Sequence, residues 1–335
     1  MFSYLIRRMF FLLAVVWGAM TIVFVLSQVV PADPVRAALG PDATTEMVEH
    51  YRDEMGLDKP LAVQYVYFMS NLAKGDIGRS ILSGQEVSDD LKRFVPATLE
   101  LMIPALLLSV LIGIPLGITS AVYRGRAADH ITRAVSIFGM SLPVFWFGLV
   151  LQLTFYKYLK ILPAGGRLGS IIMMPPSRTG FLLIDSLLAG DFVAFGSAVS
   201  HIILPAIALT SIGLAAFARI TRSSMLEVLR QDYIRTARSK GLSERVVLYK
   251  HAFINASLPI ITVIGLRIGR MLGGAVLTET IFSWPGLGRY AFNAITQMDY
   301  PVVVGFTIWT TMAYAIVNLL VDLSYYFLDP RIRYH

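Results

Sequence analysis

MFFLLAVVWGAMTIVFVLSQVV, residues 9–30, is an unbroken apolar stretch preceded by Arg7 and Arg8. A helix needs about 20 residues to cross a hydrocarbon core of roughly 30 Å. The stretch is longer than the apolar core of a signal peptide, it lacks a convincing small-residue cleavage site, and Pro31 and Pro34 follow it. We therefore expect a retained first membrane span with a cytoplasmic N-terminus.

Five more apolar stretches are long enough to cross a membrane. Hydrophobic residues make up 56% of the 335-residue chain and charged residues only 15%, which is more apolar surface than a soluble fold can bury. The gaps between the stretches are rich in Gly, Pro and charged residues. We predict an all-α integral membrane protein with six spans, formed by residues 9–30, 98–122, 134–159, 201–218, 258–282 and 302–328.

The distribution of charge predicts which loops face the cytoplasm. Cytoplasmic loops carry an excess of Lys and Arg, so the formal net charge of +7 is a topology signal rather than a sign of nucleic-acid binding. Residues 31–97 contain eleven acidic and seven basic residues, as expected of an external segment. Both termini are then cytoplasmic, and fifteen basic residues lie in the segments assigned to the inside: Arg7, Arg8, Arg124, Arg126, Arg133, Arg219, Arg222, Arg230, Arg235, Arg238, Lys240, Arg245, Lys250, Arg331 and Arg333.

This topology divides the chain into four parts. Residues 1–30 form the cytoplasmic N-terminus and the first span, and residues 31–97 form a small external lobe. Residues 98–328 form a five-helix core with a cytoplasmic segment at 219–257, and residues 329–335 are a cytoplasmic tail. A second outer segment, 161–199, is rich in Gly and Pro, and we expect it to be a long loop against the outer face.

Two short helices are expected in the external lobe. PDATTEMVEHYRDEMG, residues 41–56, has Asp42 or Thr44 as a helix cap, acidic residues in the first turn and Gly56 as the stop. KPLAVQYVYFMSNLAKG, residues 59–75, has Pro60 at the first helical position and Gly75 at the end. The lobe is therefore expected to be helical rather than a flexible linker.

The cytoplasmic segment 219–257 combines charge with a helical pattern. It contains eight basic residues against Glu227, Asp232 and Glu244, and its apolar residues recur at helical spacing. Gly241 ends one short helix and Ser243 can begin the next. Two interpretations remain open: the charges only fix the topology, or a bent helix–Gly–helix element docks a soluble partner. Asp232 can belong to that docking element or merely cap its helix.

DYIRTARSKGL (232–242) followed by HAFINASLP (251–259) resembles the cytoplasmic coupling signature of importer permeases of the ATP-binding-cassette class. Arg235 and Thr236 stand where that signature usually has Glu and Ala. The spacer from Gly241 to Pro259 is similar to that of dipeptide and oligopeptide permeases. Those permeases carry near matches, in the same order, to MGLDKP (55–60), GDIGRS (75–80), PATLEL (96–101), SLPVFW (141–146), HIILPA (201–206), TRSSMLEVL (221–229), ETIFSWPGLGR (279–289), DYPV (299–302), NLLVDLSY (318–325) and DPRIR (329–333).

The resemblance to the dipeptide/oligopeptide permease family implies a six-span type I importer fold and a channel subunit in the bacterial inner membrane. Its implied partners are a second, similar permease chain, two ATPase subunits inside and a periplasmic substrate-binding protein outside, besides membrane lipid. The cargo implied is a dipeptide or another short peptide. The residues implied in coupling to the ATPase are Asp232, Arg235, Thr236, Ala237, Arg238, Lys240 and Gly241.

No stretch offers catalytic or cofactor chemistry of its own. A nucleotide site needs a GxxxxGK turn followed by Ser or Thr, and the chain has none, so ATP and Mg²⁺ are expected on the partner subunits. There is no HExxH helix and no GxSxG elbow. The chain has no cysteine, and its five histidines are scattered without metal-ligand spacing. We expect a chain that is not an enzyme, with no bound metal or cofactor.

The fifth span carries two features that bear on packing and transport. Gly265, Gly269 and Gly273 recur every four residues, which lets another helix pack closely. Arg267 and Arg270 point roughly 130° away from that stripe and lie near the midplane at about 1.5 Å rise per residue. An arginine at this depth must face water or a carboxylate. The pair therefore either contacts a peptide carboxylate along the path or forms a structural ion pair, for which Asp322 is the candidate.

The segment after the fifth span has the composition of a turn. Trp284, Pro285, Gly286 and Gly288 lie in FSWPGLG, which predicts an outer turn or re-entrant hairpin with the Trp284 ring at the membrane interface. Such a turn can be a gate or only an interfacial anchor. Glycines and prolines in the second and third spans can likewise mark kinks or ordinary membrane-helix composition: Pro104, Gly113, Pro115, Gly117, Gly139, Pro143 and Gly148.

Two alternatives to peptide import remain at this level. The same architecture can import another cargo, such as an oligopeptide, glutathione or nickel. A self-sufficient ion-coupled transporter would instead show inverted halves, broken helices and buried acids. The two halves of this sequence are not visibly repeated, which favours the ATP-driven importer.

Overall fold

The computed structural model describes residues 2–29, 44–54 and 58–328. Within these ranges the chain is mainly helical, and its β-pairing is limited to one isolated bridge between Arg79 and Glu86. Two of the helices each contain a π-helical section, Gln152–Tyr158 in one and Val246–Phe253 in the other. The helices are α1 Phe2–Val29, α2 Thr45–Glu54, α3 Leu61–Ala73, α4 Val87–Val122, α5 Ala127–Ser141, α6 Val144–Leu151 with Gln152–Tyr158, α7 Leu182–Leu188, α8 Phe192–Val228, α9 Asp232–Ser239, α10 Val246–Phe253 with Ile254–Leu272, α11 Val276–Ile281, α12 Leu287–Thr296 and α13 Tyr300–Leu328.

Five of the described helices, α1, α4, α8, α10 and α13, are long and apolar enough to cross a membrane. The predicted third span, 134–159, is not one straight helix: α5 and α6 meet at an angle of 100° and make a sixth crossing only if the bent pair counts as one span. The break falls at Leu142, whose backbone is extended because Pro143 follows it. The number and order of the apolar segments thus agree with the sequence, but the third is bent.

Two other predicted spans have different lengths in the structure. The sequence predicts one helix over residues 258–282, but α10 ends at Leu272 and a turn with Gly274 at φ +85° separates it from α11. The predicted span 201–218 is the middle of α8, which runs from Phe192 to Val228. The expected loop 161–199 accordingly contains α7 and the first turns of α8.

The most extensive helix–helix interface joins α4 to α8. A Cβ atom on Gly113 would lie 2.9 Å from the Leu214 carbonyl oxygen, and one on Gly117 would lie 2.5 Å from the Thr221 side chain. Gly213 is a position of equally close approach on α8, because a Cβ atom there would lie 2.5 Å from Ser109 Oγ. α4 remains a continuous helix across its prolines. Gly113 and Gly117 are therefore packing positions that let two backbones approach closely.

The glycine stripe on α10 packs against α13. A Cβ on Gly265 would overlap Val321 Cγ2, and one on Gly269 would overlap the Tyr314 ring. Gly273 does not continue the stripe, because it is the C-terminal cap of α10 and a Cβ there would meet only the Arg270 carbonyl of the same helix, at 3.7 Å. The packing prediction is confirmed for the first two glycines.

Two helices, α2 and α3, lie between the first two membrane-length helices of the chain. Thr44 Oγ1 accepts a hydrogen bond from Met47 N at 3.3 Å, so it caps α2. Pro60 is the residue before α3 rather than its first residue, and Gly75 follows the helix at φ +85°. The predicted roles of Pro31, Pro34, Asp42, Gly56 and residues 329–335 lie outside the described residues.

The helix α3 packs on the apolar side of α1. The hydroxyl groups of Tyr65 and Thr21 share a hydrogen bond of 2.8 Å, and the Tyr65 ring lies 5.3 Å from that of Phe24 in an edge-on arrangement.

The end of the bundle where α4 begins at Val87 is called the lobe end. The opposite end, where α4 ends and α9 lies, is called the basic end.

Replacing Gly265 with alanine is expected to separate α10 from α13. The new methyl group would overlap Val321, whose branched side chain has little rotamer freedom, and such overpacking costs about 1–3 kcal/mol. Thermal denaturation of the purified protein in detergent should show a lower midpoint. Gly18→Ala on α1 is the control, because nothing lies within 4 Å of its Cβ position. Equal midpoints for the two variants would contradict the close packing.

Candidate coupling surface and transport path

The short helix α9 is fastened to three membrane-length helices by its apolar side. Ile234 is fully buried and Ala237 is 7% exposed. They belong to a cluster with residues of α4, α8 and α10: Ile118, Ala121, Met225, Val247, Ala252 and Ala256. The helical spacing seen in the sequence therefore corresponds to a real apolar face, which packs against the ends of three long helices.

Gly241 ends α9 with a complete C-terminal capping motif. Its φ of +74° is readily available only to glycine. Gly241 N donates to the Arg238 carbonyl at 2.9 Å, and Leu242 N donates to the Ala237 carbonyl at 3.4 Å. These two bonds are the Schellman pattern, which satisfies the last carbonyls of a helix. The chain then turns and begins α10, as the sequence predicted.

The opposite side of α9 is exposed and charged. Arg235 lies 3.8 Å from Asp232, with both side chains largely in solvent, and Arg238 donates to Glu244 at 2.9 Å. Exposed pairs of this kind contribute little to stability and exchange partners readily. Thr236, Lys240 and Gly241 are also exposed. Six of the seven predicted coupling residues thus share an open surface, whereas Ala237 faces the interior.

Asp232 is not the N-terminal cap of α9. Gln231 occupies that position, and Asp232 is the first helical residue with a 98% exposed carboxylate. Its place in the first turn suits the positive end of the helix dipole. The cap interpretation is therefore wrong for Asp232, and its side chain belongs to the exposed surface.

A buried ion pair joins α5 to α8 beside this surface. Asp129 is 2% exposed and accepts from Arg222 Nε at 2.7 Å, from Ser120 Oγ at 2.7 Å and from Gly125 N at 2.9 Å. The carboxylate therefore links the end of α4, the following turn, the start of α5 and the end of α8. The sequence assigned Arg222 only to topology, and no local pattern paired it with Asp129.

The two arginines on α10 lie halfway along the bundle. Arg267 is partly buried and donates from Nη2 to the Leu209 carbonyl at 3.1 Å, and Arg270 is exposed. Among the described residues no carboxylate lies within ion-pair distance of either guanidinium. Asp322, the expected partner, forms an ion pair with Arg8 instead. Within the described ranges, the structural ion pair suggested for the arginines is therefore not formed.

The turn after α11 is anchored inside the protein. Trp284 is 1% exposed and donates from Nε1 to the Ala97 carbonyl at 2.8 Å, so the expected position at the membrane interface is wrong. The fully buried Glu279 accepts from Thr98 Oγ1 at 2.9 Å and from Arg289 N at 2.8 Å. A Cβ on Gly286 would overlap the Glu279 carboxyl group.

The remaining residues of this turn pack around the buried Glu279 carboxylate. Gly288 packs against Gly274, with 3.0 Å between its Cβ position and the Gly274 Cα, and Pro285 lies between the buried Trp284 and Gly286. Gly286 and Gly288 thus allow the chain to close around the Glu279 carboxylate. They are close-approach positions in this structure.

A buried ion pair at the lobe end went unrecognised in the sequence. Glu100 on α4 is 4% exposed and accepts from Arg167 Nε at 3.1 Å and from Leu183 N at 2.7 Å. Arg167 also donates to the Gly180 carbonyl at 3.0 Å and lies 5.7 Å from the Trp284 ring. An acidic residue inside a predicted span is by default a functional candidate, and that signal was available for Glu100.

The loop that carries Arg167 is stabilised by a second carboxylate. Burial of Asp185 opposes its ionisation, yet hydrogen bonds from Thr179 N at 2.8 Å, Thr179 Oγ1 at 2.8 Å and Gly180 N at 3.0 Å hold the pKa of this carboxyl below its usual range. The loop is therefore an ordered part of the lobe end rather than a loose connection.

A bundle of membrane-length helices with a charged surface helix fixed to three of them defines an all-α integral membrane permease. A family model described as binding-protein-dependent transport system inner membrane component matches residues 113–334. A second, for the N-terminal part of such membrane components, matches residues 1–102. The chain belongs to the family of binding-protein-dependent transport system inner membrane components.

Named relatives match over almost the whole chain, which confirms the resemblance to dipeptide permeases. The probable D,D-dipeptide transport system permease protein DdpB of Escherichia coli K12 is 48% identical over 330 residues, 98% of this chain and 97% of that protein. The dipeptide transport system permease protein DppB of the same strain is 42% identical over 337 residues, which are 100% of this chain and 99% of that protein. DppB of Alkalihalophilus pseudofirmus is 41% identical and covers 100% of both chains.

Replacing Ile234 with alanine is expected to loosen α9 from the bundle. Truncation of a buried isoleucine costs about 2 kcal/mol or more, equivalent to roughly 30-fold more frequent local opening. Amide hydrogen exchange of residues 232–241 should accelerate by that factor. Tyr233→Ala removes a neighbouring exposed side chain from the same helix and is the control. Unchanged exchange in Ile234→Ala would show that the apolar contact does not fasten α9.

Glu100→Gln is expected to destabilise the lobe end strongly. The substitution preserves volume but leaves the Arg167 guanidinium buried without its counter-charge, at a cost of about 3 kcal/mol. Thermal denaturation in detergent measures this as a lower midpoint. Glu86→Gln is the matched control, because its pair with Arg79 is 3.7 Å apart and exposed. A decrease in the midpoint equal to that of the control variant would refute the stabilising role of the Glu100–Arg167 pair.

Proposed function

We propose that this chain is the channel-forming permease subunit of an ATP-driven importer of dipeptides or other short peptides. The observation that carries the proposal is the match along almost the full chain to relatives that are named dipeptide permeases. One of those names specifies D,D-dipeptides, so the configuration of the cargo is part of the question. Competition between L,L- and D,D-dipeptides for uptake would show which configuration the transporter prefers.

In this proposal the exposed surface of α9 docks on an ATPase subunit. The surface consists of Asp232, Arg235, Thr236, Arg238, Lys240 and Gly241, with Ala237 fixing it to the bundle. Charge-assisted hydrogen bonds from the two arginines and the lysine suit a groove lined by acidic groups. Closure of the ATPase subunits then displaces α9, and the apolar cluster under Ile234 carries that displacement to α4, α8 and α10.

The chain requires partners for the complete transport cycle. We place ATP and Mg²⁺ on two ATPase subunits, because this chain has no GxxxxGK turn, and we assign it no catalytic step. A second, similar permease chain completes the path, and a soluble binding protein delivers the peptide. The family description, a membrane component of a binding-protein-dependent system, supports the binding protein directly.

The charge distribution orients the subunit in the inner membrane. We propose that the basic end faces the cytoplasm together with both termini, and that the lobe end faces outward to the binding protein. The turn formed by Trp284, Pro285, Gly286 and Gly288 then lies on the outer side of the path. Its buried contacts with Ala97 and Glu279 favour a fixed outer turn over a mobile gate.

Gly241→Pro is expected to uncouple ATP hydrolysis from peptide transport. Proline fixes φ near −65° and lacks the N–H that Gly241 donates to Arg238, so the capping motif cannot form. In liposomes containing both permease chains, the ATPases and the binding protein, stimulation of hydrolysis by loaded binding protein should fall to the basal rate. Persistence of full stimulation would overturn the coupling role of α9.

The control for this experiment is Gly190→Pro at the lobe end. Gly190 follows α7 and has a φ of +68°. Its N–H donates to the Leu187 carbonyl at 3.1 Å, and the N–H of the next residue, Asp191, donates to the Ser186 carbonyl at 2.9 Å. Gly190 therefore has the same capping motif as Gly241, but it lies at the lobe end and α9 lies at the basic end. Equal loss of stimulation in both variants would indicate a general folding defect, which contradicts a specific role for Gly241.

A further inference from the structure

Two positive charges lie at the middle level of the helix bundle. Arg267 donates to Leu209, near the centre of α8. Gly269, two residues after Arg267, packs on Tyr314, the central residue of α13. A charged side chain at this depth costs at least a few kcal/mol unless it reaches water or an opposite charge. The position of the pair therefore demands a partner or an aqueous path.

Most of the hydrogen-bonding capacity of this pair is unused. A guanidinium has five N–H donors, and Arg267 uses one, toward the Leu209 carbonyl. Arg270 donates to no group in the part of the chain that the structure describes, and neither side chain has a carboxylate within ion-pair distance there. At a separation of three residues the two charges are neighbours on the helix surface and repel each other. An anion between them would relieve this repulsion and accept the free N–H groups.

Arg270 belongs to the open face of α10. Asn255, Pro259, Leu266 and Arg270 are all exposed and follow one another at intervals of four, seven and four residues, which is the spacing of one helix face. An adjacent face, about 100° around the helix from Leu266 and Arg270, is covered by α13 through Gly265 and Gly269. A glycine on α8, Gly213, leaves space near the Arg267 guanidinium, since a Cβ there would lie 3.7 Å from its Nε.

We propose that Arg267 and Arg270 form a subsite on the transport path for the side-chain carboxylate of acidic peptides, which favours the passage of peptides with net negative charge. The inference rests on the proposed function, because it assigns this face of α10 to the peptide path. A guanidinium matches a carboxylate in a planar, two-bond arrangement, and a second guanidinium one turn away provides further donors. A cationic peptide gains nothing at this site and is repelled by it.

The test compares three dipeptides that differ in one side chain: Ala-Glu, Ala-Gln and Ala-Lys. Uptake is measured in liposomes with the complete transporter and saturating loaded binding protein, so that the step after delivery limits the rate. Arg270→Gln and Arg267→Gln should lower the Ala-Glu rate relative to Ala-Lys by about tenfold, the effect of losing one charge-assisted hydrogen bond. Arg270→Lys, which preserves the charge, should retain most of the preference.

Arg219→Gln is the matched control, since this exposed arginine lies near the basic end of α8 and its loss should leave the ratio unchanged. An equal decrease for all three peptides in the Arg267 and Arg270 variants would overturn the subsite and indicate a structural role, including a counter-charge from the second permease chain. An unaltered ratio with normal rates would overturn it as well.

The same measurements separate this inference from the proposed function. If the wild-type transporter imports none of the dipeptides while the loaded binding protein of another solute stimulates hydrolysis, the peptide assignment fails and the subsite fails with it. If all three dipeptides are imported and the glutamine variants preserve their ratio, the importer stands and only the subsite is refuted.

Discussion

Close backbone contact between α4 and α8 is the constraint on which the rest of the molecule depends. In a membrane, apolar burial gives little drive for helices to associate, so association depends on packing and on polar groups between helices. Gly113, Gly117 and Gly213 lie in this interface, and each would bring a side-chain carbon within 3 Å of the facing helix if it were alanine. The two longest helices thus form a single rigid pair, to which the other elements are attached.

Buried carboxylates attach those elements at both ends of the pair. At the basic end Asp129 binds Arg222 of α8 and Ser120 of α4. At the lobe end Glu100 of α4 binds Arg167 and the backbone of α7. Each carboxylate accepts three hydrogen bonds or more, which offsets the cost of removing its charge from water. The charges therefore fix the loops and short helices at the ends, whereas small residues pack the middle.

The sequence predicted what depends on local pattern. Length and hydropathy located the apolar segments, the four-residue glycine spacing located a close-packing face on α10 without naming its partner, and the apolar spacing around Gly241 located α9. The end of α10 at Leu272 was missed, and a kink at Pro143 was left open against ordinary membrane-helix composition, because a hydropathy window measures composition and does not register the direction of the helix axis. The pair of Glu100 and Arg167 joins residues separated by 67 positions, and no local spacing records such a contact.

The same reasoning explains why Trp284 was misplaced and why α10 is the element on which transport would depend. A tryptophan beside Pro and Gly is typical of a membrane interface, but here the indole N–H is used by the Ala97 carbonyl inside the protein. That bond fixes the turn after α11 to α4, while the apolar cluster around Ile234 joins the start of α10 to α9. Between these two fixed ends, Arg267 contacts α8 through one hydrogen bond. In the proposed function, a displacement of α9 would act on α10 between these two contacts, at the level of the arginines.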